Sequence, residues 1–195
     1  MATTALVTGS AERVEGVIAA LRAAGVEATG VTDLASLADQ VKTFPPGSLD
    51  YYVQLPVSLR PTGDSLVSRV RDFLDKGLLT RFRLAESVLP VLSADGRVVL
   101  VGGHTPVERD APDDRAARSA LLDVLAHAIR ADKAPAKVRV RIFGHQLDPA
   151  ELVRSMLTWE AAGDGPEARA AVSGDATISY QDWRTEVMGL ASVEF

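Results

Sequence analysis

The chain has 195 residues, and 21 Lys and Arg stand against 26 Asp and Glu, which gives a formal net charge of −5. This mildly acidic balance argues against a broadly basic surface for nucleic acids. A hydrophobic content of 47% is typical of globular proteins, so we predict that residues 1–195 form a single domain. The absence of cysteine excludes disulfides, zinc–thiolate sites and a cysteine nucleophile.

The hydropathy pattern indicates a protein that does not enter membranes. No apolar run approaches the roughly 20 residues that cross a bilayer. Residues 1–16 lack the basic and apolar regions of a signal peptide. We therefore predict a cytoplasmic protein with no membrane partner and no nucleic-acid partner.

Strands and helices alternate along the first third of the chain. The apolar residues 5–7 predict a strand, Thr8-Gly9-Ser10 a turn, and the apolar spacing beyond it a helix that ends at Gly25. A second strand is predicted over residues 26–31 and a short helix over residues 34–41, before Pro45-Pro46-Gly47. Residues 49–55 predict a buried strand.

The same alternation continues to the end of the chain. One long helix is predicted over residues 66–92, with a bend near Gly77. Strands over residues 97–101 and 138–143 enclose a helix over residues 117–129. A helix over residues 149–159, a mobile loop over 161–174 and an edge strand over 177–187 follow. This order predicts an α/β fold, a doubly wound parallel sheet of about six strands.

Several short motifs, in this order, resemble the short-chain dehydrogenase/reductase (SDR) family. They are Val7-Thr8-Gly9-Ser10 before a helix ending in Ala23-Ala24-Gly25, Gly47-Ser48-Leu49-Asp50 before a strand, and residues 84–92 leading through Asp95-Gly96-Arg97 into a strand. The likeness runs from Thr3 to Gly144 and implies a Rossmann-like fold. The interval from Val31 to Leu49 is too short for the helix, strand and helix that the family has there. The chain is therefore one βα unit shorter than a typical member.

The resemblance implies a nicotinamide dinucleotide, NAD(P), bound at the first turn, where the family has a T-G-x-x-x-G-x-G loop. Thr8 and Gly9 match that loop, but Arg13 and Glu15 replace its second and third glycines, and Gly16 comes one residue too late. A carboxylate at Glu15 would repel a pyrophosphate by ~1–4 kcal/mol at contact distance. We therefore predict no bound cofactor, with NAD(P) as the alternative.

If a dinucleotide binds, the candidate cofactor-binding residues are Thr8, Gly9, Ser10, Arg13 and Asp33. Arg13 could contact a phosphate directly and offset part of the repulsion. Asp33 has three alternative roles. It ends the second strand and faces a ribose, ends a third strand and lies near an adenine, or caps the helix that follows it.

The catalytic side chains of the family are absent from the positions that the resemblance assigns to them. A glycine stands in place of the active-site serine after the strand over residues 97–101, and Asp114 and Arg118 stand in place of the Tyr-x-x-x-Lys pair. The chain also contains no asparagine. We predict no catalytic residue and no metal site. His104 and Tyr52 remain as alternative proton donors.

The resemblance also implies pairing of subunits through the helices over residues 66–92 and 117–129. We therefore predict a catalytically degenerate SDR-like protein, a pseudoenzyme that acts as a structural subunit. It forms a homo-oligomer, or a hetero-oligomer with an active SDR. Two alternatives stay open: an atypical NAD(P)-dependent oxidoreductase, and a dinucleotide-sensing module without turnover.

Overall fold

The computed structural model describes residues 2–57, 62–103, 112–133, 138–144 and 148–159. In this part of the chain, five parallel strands form one sheet in the order β2-β1-β3-β4-β5. The strands are β1 (Thr4–Thr8), β2 (Glu27–Val31), β3 (Leu49–Gln54), β4 (Leu92–Val101) and β5 (Arg139–Phe143). The predicted α/β fold is confirmed. Five of the expected six or so strands lie in the described residues, and the strand predicted over residues 177–187 lies outside them.

Helices cover both faces of the sheet and connect the strands. They are α1 (Ala11–Ala23), α2 (Leu37–Val41), α3 (Leu66–Phe73), α4 (Thr80–Val88), α5 (Pro112–Asp132) and α6 (Pro149–Leu157). Two 3₁₀ turns, Leu34–Ser36 and Leu89–Val91, precede α2 and β4. No helix in the described ranges has the length and apolar character needed to span a bilayer.

Alternation along each strand divides the core into two layers. Leu6, Tyr52 and Val98 belong to the layer beneath α2, α4 and α5. Their neighbours Val7, Val53 and Val99 belong to the layer beneath α1 and α6. Strands covered on both faces must be apolar throughout, which explains the continuous apolar runs in the sequence.

The chain changes direction across the sheet between β2 and β3. Strand β1 pairs with β2 on one side and with β3 on the other. Only the turn Leu34–Ser36 and α2 lie between β2 and β3, so no further strand is added beyond β2. The predicted loss of one βα unit is confirmed, and Asp33 follows the strand that lies next to β1.

The predicted long helix is confirmed as one uninterrupted helical run from α3 to α4, whereas its predicted end at residue 92 is wrong. A π-helical segment, Leu74–Leu79, separates α3 from α4, and Gly77 lies within it. The helix gives way to the turn Leu89–Val91, where Pro90 lacks the N–H that a further helical turn needs. Leu92 is the first residue of β4 instead of the last of the helix.

Candidate functional site

The β1–α1 turn lies at the point where the chain changes direction in the sheet. In parallel α/β sheets, ligands bind beyond the carboxyl ends of the strands on either side of such a point. Here those ends are Thr8 of β1 and Gln54 of β3, which are partners in the sheet register. Four of the five candidate residues, Thr8, Gly9, Ser10 and Arg13, belong to this turn and the first turn of α1.

Gly9 is required by packing within the protein. Its φ of 152° is a conformation that favours glycine, and a Cβ built on it would lie 2.7 Å from Leu55 Cβ. The backbone holds this arrangement, because Leu55 N–H donates to the Thr8 carbonyl at 2.8 Å and Gly9 N–H donates to the Val31 carbonyl at 3.3 Å. The open side of Gly9 therefore faces Leu55.

Gly16 also has a packing role. A Cβ at this position would lie 3.0 Å from Pro149 Cγ at the start of α6. Glycine lets α1 and α6 approach closely at this point. Gly16 comes one residue too late for the phosphate loop of the SDR family, and the contact between α1 and α6 explains why a glycine stands there.

The first turn of α1 offers an anion few polar side chains. Ser10 is the N-cap residue, but its side chain makes no capping hydrogen bond, and its carbonyl accepts from Arg13 N–H and Val14 N–H. Arg13 is half-buried, while Glu12 and Glu15 are exposed. Two carboxylates near the helix N-terminus take the place that favours negative charge and repel a bound phosphate.

Asp33 caps the turn that follows it. Its Oδ1 accepts from Ala35 N–H at 3.0 Å, and its carbonyl accepts from Ser36 N–H at 3.1 Å and from Ser36 Oγ at 2.7 Å. The side chain is exposed. Of the three roles considered for Asp33, the capping contacts are present in the structure.

A buried polar network joins the ends of β1 and β3. Thr8 Oγ1 and Tyr52 OH are 3.1 Å apart, and Gln54 Nε2 donates to Tyr52 OH at 3.2 Å. All three side chains are almost completely buried. The hydroxyl of Thr8 is therefore directed into the core beneath α4.

Arg81 extends this network to β4. Its Nε donates to Gln54 Oε1 at 2.8 Å, and Gln54 Nε2 donates back to the Arg81 carbonyl at 2.9 Å. Its Nη2 donates to the carbonyls of Gln54 at 3.2 Å and Val101 at 3.0 Å. Those carbonyls belong to the last residues of β3 and β4. The guanidinium therefore bridges the two strand ends.

Burial changes the pKa of both ionisable groups in the network. It lowers the pKa of Arg81 to about 10, which still leaves the guanidinium protonated at neutral pH. It raises the pKa of the Tyr52 phenol, against the opposing effects of Thr8, Gln54 and the Arg81 charge. Tyr52 is 1% exposed, so in this arrangement its hydroxyl does not reach a substrate as a proton donor would.

The sequence analysis did not identify Gln54 and Arg81 as residues of this site. Gln54 is a polar residue inside an apolar strand, and a buried amide needs partners for its donors and acceptor. That signal was readable from the sequence. Arg81, 27 residues away, could not be identified as its partner.

Other expectations fall outside these elements. His104, the loop predicted over residues 161–174 and the strand over 177–187 are not among the described residues. Where side chains are described, no group of three or more His, Cys, Asp or Glu could hold a metal ion.

Helix α3 presents an apolar face to solvent. Arg81 lies at the carboxyl ends of the strands, and α4 runs from there to the turn before β4. Helix α3 therefore lies beyond the end of the sheet, and it has no buried residue. The exposed large apolar side chains of α3 and the π segment are Leu66 (71%), Val67 (68%), Val70, Phe73, Leu74 and Leu79.

The fold is similar to that of solved SDR structures. A small-chain dehydrogenase is 17% identical with a TM-score of 0.57, over 80% of this chain and 89% of that one. A variant of a Serratia marcescens SDR is 17% identical with a TM-score of 0.55, over 86% and 91%. BdcA in complex with NADPH is 17% identical with a TM-score of 0.51, over 86% and 88%.

Family models and curated proteins gave no significant match to this sequence. At the identities of the solved structures, the likeness is one of fold. The resemblance predicted from the motifs is confirmed at that level: the chain has the Rossmann-like fold found in SDR structures.

Proposed function

We propose that this protein is a structural, oligomer-forming subunit with an SDR-like fold and no oxidoreductase activity. The observation that carries the proposal is the apolar face of α3, defined by Leu66, Val67, Val70, Phe73 and Leu74. Contiguous exposed apolar side chains on one helix are typical of protein–protein contacts. A second copy of the chain is the partner that we favour, and an active SDR is the alternative partner.

The absence of activity is inferred from the positions that carry catalysis in the family. Asp114 and Arg118 cannot replace a phenol and an ammonium group as a proton relay. The hydroxyl of Tyr52 lies near the ends of β1 and β3, but this side chain is buried and hydrogen-bonded to Thr8 and Gln54. We expect no turnover of a panel of carbonyl substrates with NADH or NADPH. Turnover that is abolished by Tyr52→Phe would contradict this part of the proposal.

Light scattering coupled to size exclusion tests the oligomer. We expect the wild-type protein to be a dimer or larger at micromolar concentration and Val70→Glu to shift it towards monomer, because burying an unpaired charge in an apolar contact is costly. Gln40→Glu is the matched control, since it adds the same charge at an exposed position of α2. A monomeric wild-type protein would overturn the homo-oligomer, and the same protein would then be mixed with an active SDR.

A further inference from the structure

Side chains of the described residues pack at the ends of β1, β3 and β4. Leu55, the first residue after β3, is 4% exposed and packs in the layer beneath α1 and α6. It contacts the open side of Gly9, as described above. A Cβ built on Gly103 would lie 3.4 Å from the Cβ of the next residue, Pro56. Leu55 and Pro56 thus lie between the turn after β1 and the glycines after β4.

Arg81 closes the other side of the same region. Its side chain makes three hydrogen bonds to the ends of β3 and β4, and a fourth bond joins its carbonyl to Gln54. These contacts satisfy the last carbonyls of two strands from within the protein. No group from outside is needed to complete them.

We propose that this end of the sheet is a closed structural joint, made by Leu55 against Gly9 and by Arg81 across β3 and β4, and that it excludes a dinucleotide. A Rossmann-like fold binds the pyrophosphate by a close approach to glycine backbone at the first turn. In this chain, Leu55 lies against the side of Gly9 where a Cβ would stand, Thr8 Oγ1 and Tyr52 OH lie within hydrogen-bond distance of each other, and Ala35 N–H donates to Asp33 Oδ1. The residues therefore do not fit NAD(P), although the fold resembles that of NAD(P) enzymes.

Ligand titration tests the exclusion directly. We expect no more than about a 1 °C change in the melting temperature of the wild-type protein with 2 mM NADH or NADPH, and no heat of binding by calorimetry. A ligand present at ten times its Kd would raise the melting temperature of a protein of this size by about 3–6 °C. A rise of that size with either nucleotide would overturn the proposal.

A pair of variants tests the packing role of Gly9. Gly9→Ala should lower the melting temperature strongly, because its φ and the contact with Leu55 both disfavour a side chain. Leu55→Gly removes the Leu55 Cβ that a Cβ at position 9 would meet, so the double variant should lose less than the sum of the two single losses. A phosphate-binding role for Gly9 would instead give additive losses of melting temperature and a nucleotide response in the wild-type protein. That pair of results would overturn the proposal.

The nucleotide titration remains decisive if the glycine variants fail to fold, because it uses the unmodified chain. The proposal is also independent of oligomerisation. A monomeric protein that does not respond to NADPH would overturn the homo-oligomer and leave the closed joint standing. An oligomer that binds NADPH would do the reverse.

Discussion

Replacement of Arg81 by methionine tests the network that joins β3 to β4. Arg81→Met keeps most of the apolar length of the side chain but removes its three side-chain hydrogen bonds. Gln54 is 1% exposed, so its Oε1 would be left buried without a donor. Hydrogen bonds to a charged group contribute about 1.5–3 kcal/mol, and an unsatisfied buried acceptor costs about 1–3 kcal/mol. The relief of guanidinium desolvation offsets part of these losses, and we expect a net loss of about 2–4 kcal/mol.

Urea unfolding of the full chain measures this loss. The transition midpoint should fall while the slope stays unchanged, because the change affects stability and leaves compactness alone. Arg83→Met is the matched control, since Arg83 is exposed and pairs with Asp75 at 3.0 Å, and such surface pairs contribute about 0–1 kcal/mol. A loss below 1 kcal/mol for Arg81→Met, or equal losses for Arg81→Met and Arg83→Met, would refute the reasoning.

Three further outcomes follow from the same contacts. Folding raises the pKa of Tyr52, so the contribution of this phenol to the free energy of unfolding is constant below about pH 10 and decreases as the pH rises further. The urea midpoint of the wild-type protein should therefore fall relative to that of Tyr52→Phe above about pH 10, and parallel pH profiles of the two proteins would contradict this. Gly16→Leu should cost about 1–3 kcal/mol by overpacking against Pro149, whereas Ala19→Leu, exposed on the same helix, should be neutral in thermal unfolding. Asp33→Ala should cost about 0.5–2 kcal/mol through its lost cap without altering calorimetric titrations with NADPH; a nucleotide-dependent difference would instead point to a ribose contact.

The layered fold was predictable because its signals are local. A strand buried on both faces must be largely apolar, as residues 5–7 and 98–101 are. The short interval between Val31 and Leu49 likewise left no room for another strand. The π-helical segment within the long helix was not predictable in the same way. Apolar residues continue at helical spacing through Gly77, and that spacing does not distinguish an α-helical turn from the π-helical one observed.

The candidate site at the first turn stays a prediction, and the packing roles of its glycines were not visible in the sequence. Gly9 and Gly16 look like parts of a phosphate loop because glycine marks any position where something approaches the backbone closely. What approaches them is Leu55 in one case and Pro149 in the other. Both partners are far away along the chain, so no local pattern reveals them.

By itself, the sequence determined the order of strands and helices, the layered burial of the strands and the missing βα unit, because periodicity and spacing record burial residue by residue. Only the tertiary structure decided which residues meet at the carboxyl ends of the strands. Gln54 and Arg81 are 27 positions apart, and their contact depends on where α4 crosses the sheet. Helix α3 is exposed for the same reason: its apolar residues were evident in the sequence, but the sheet ends before it can cover them.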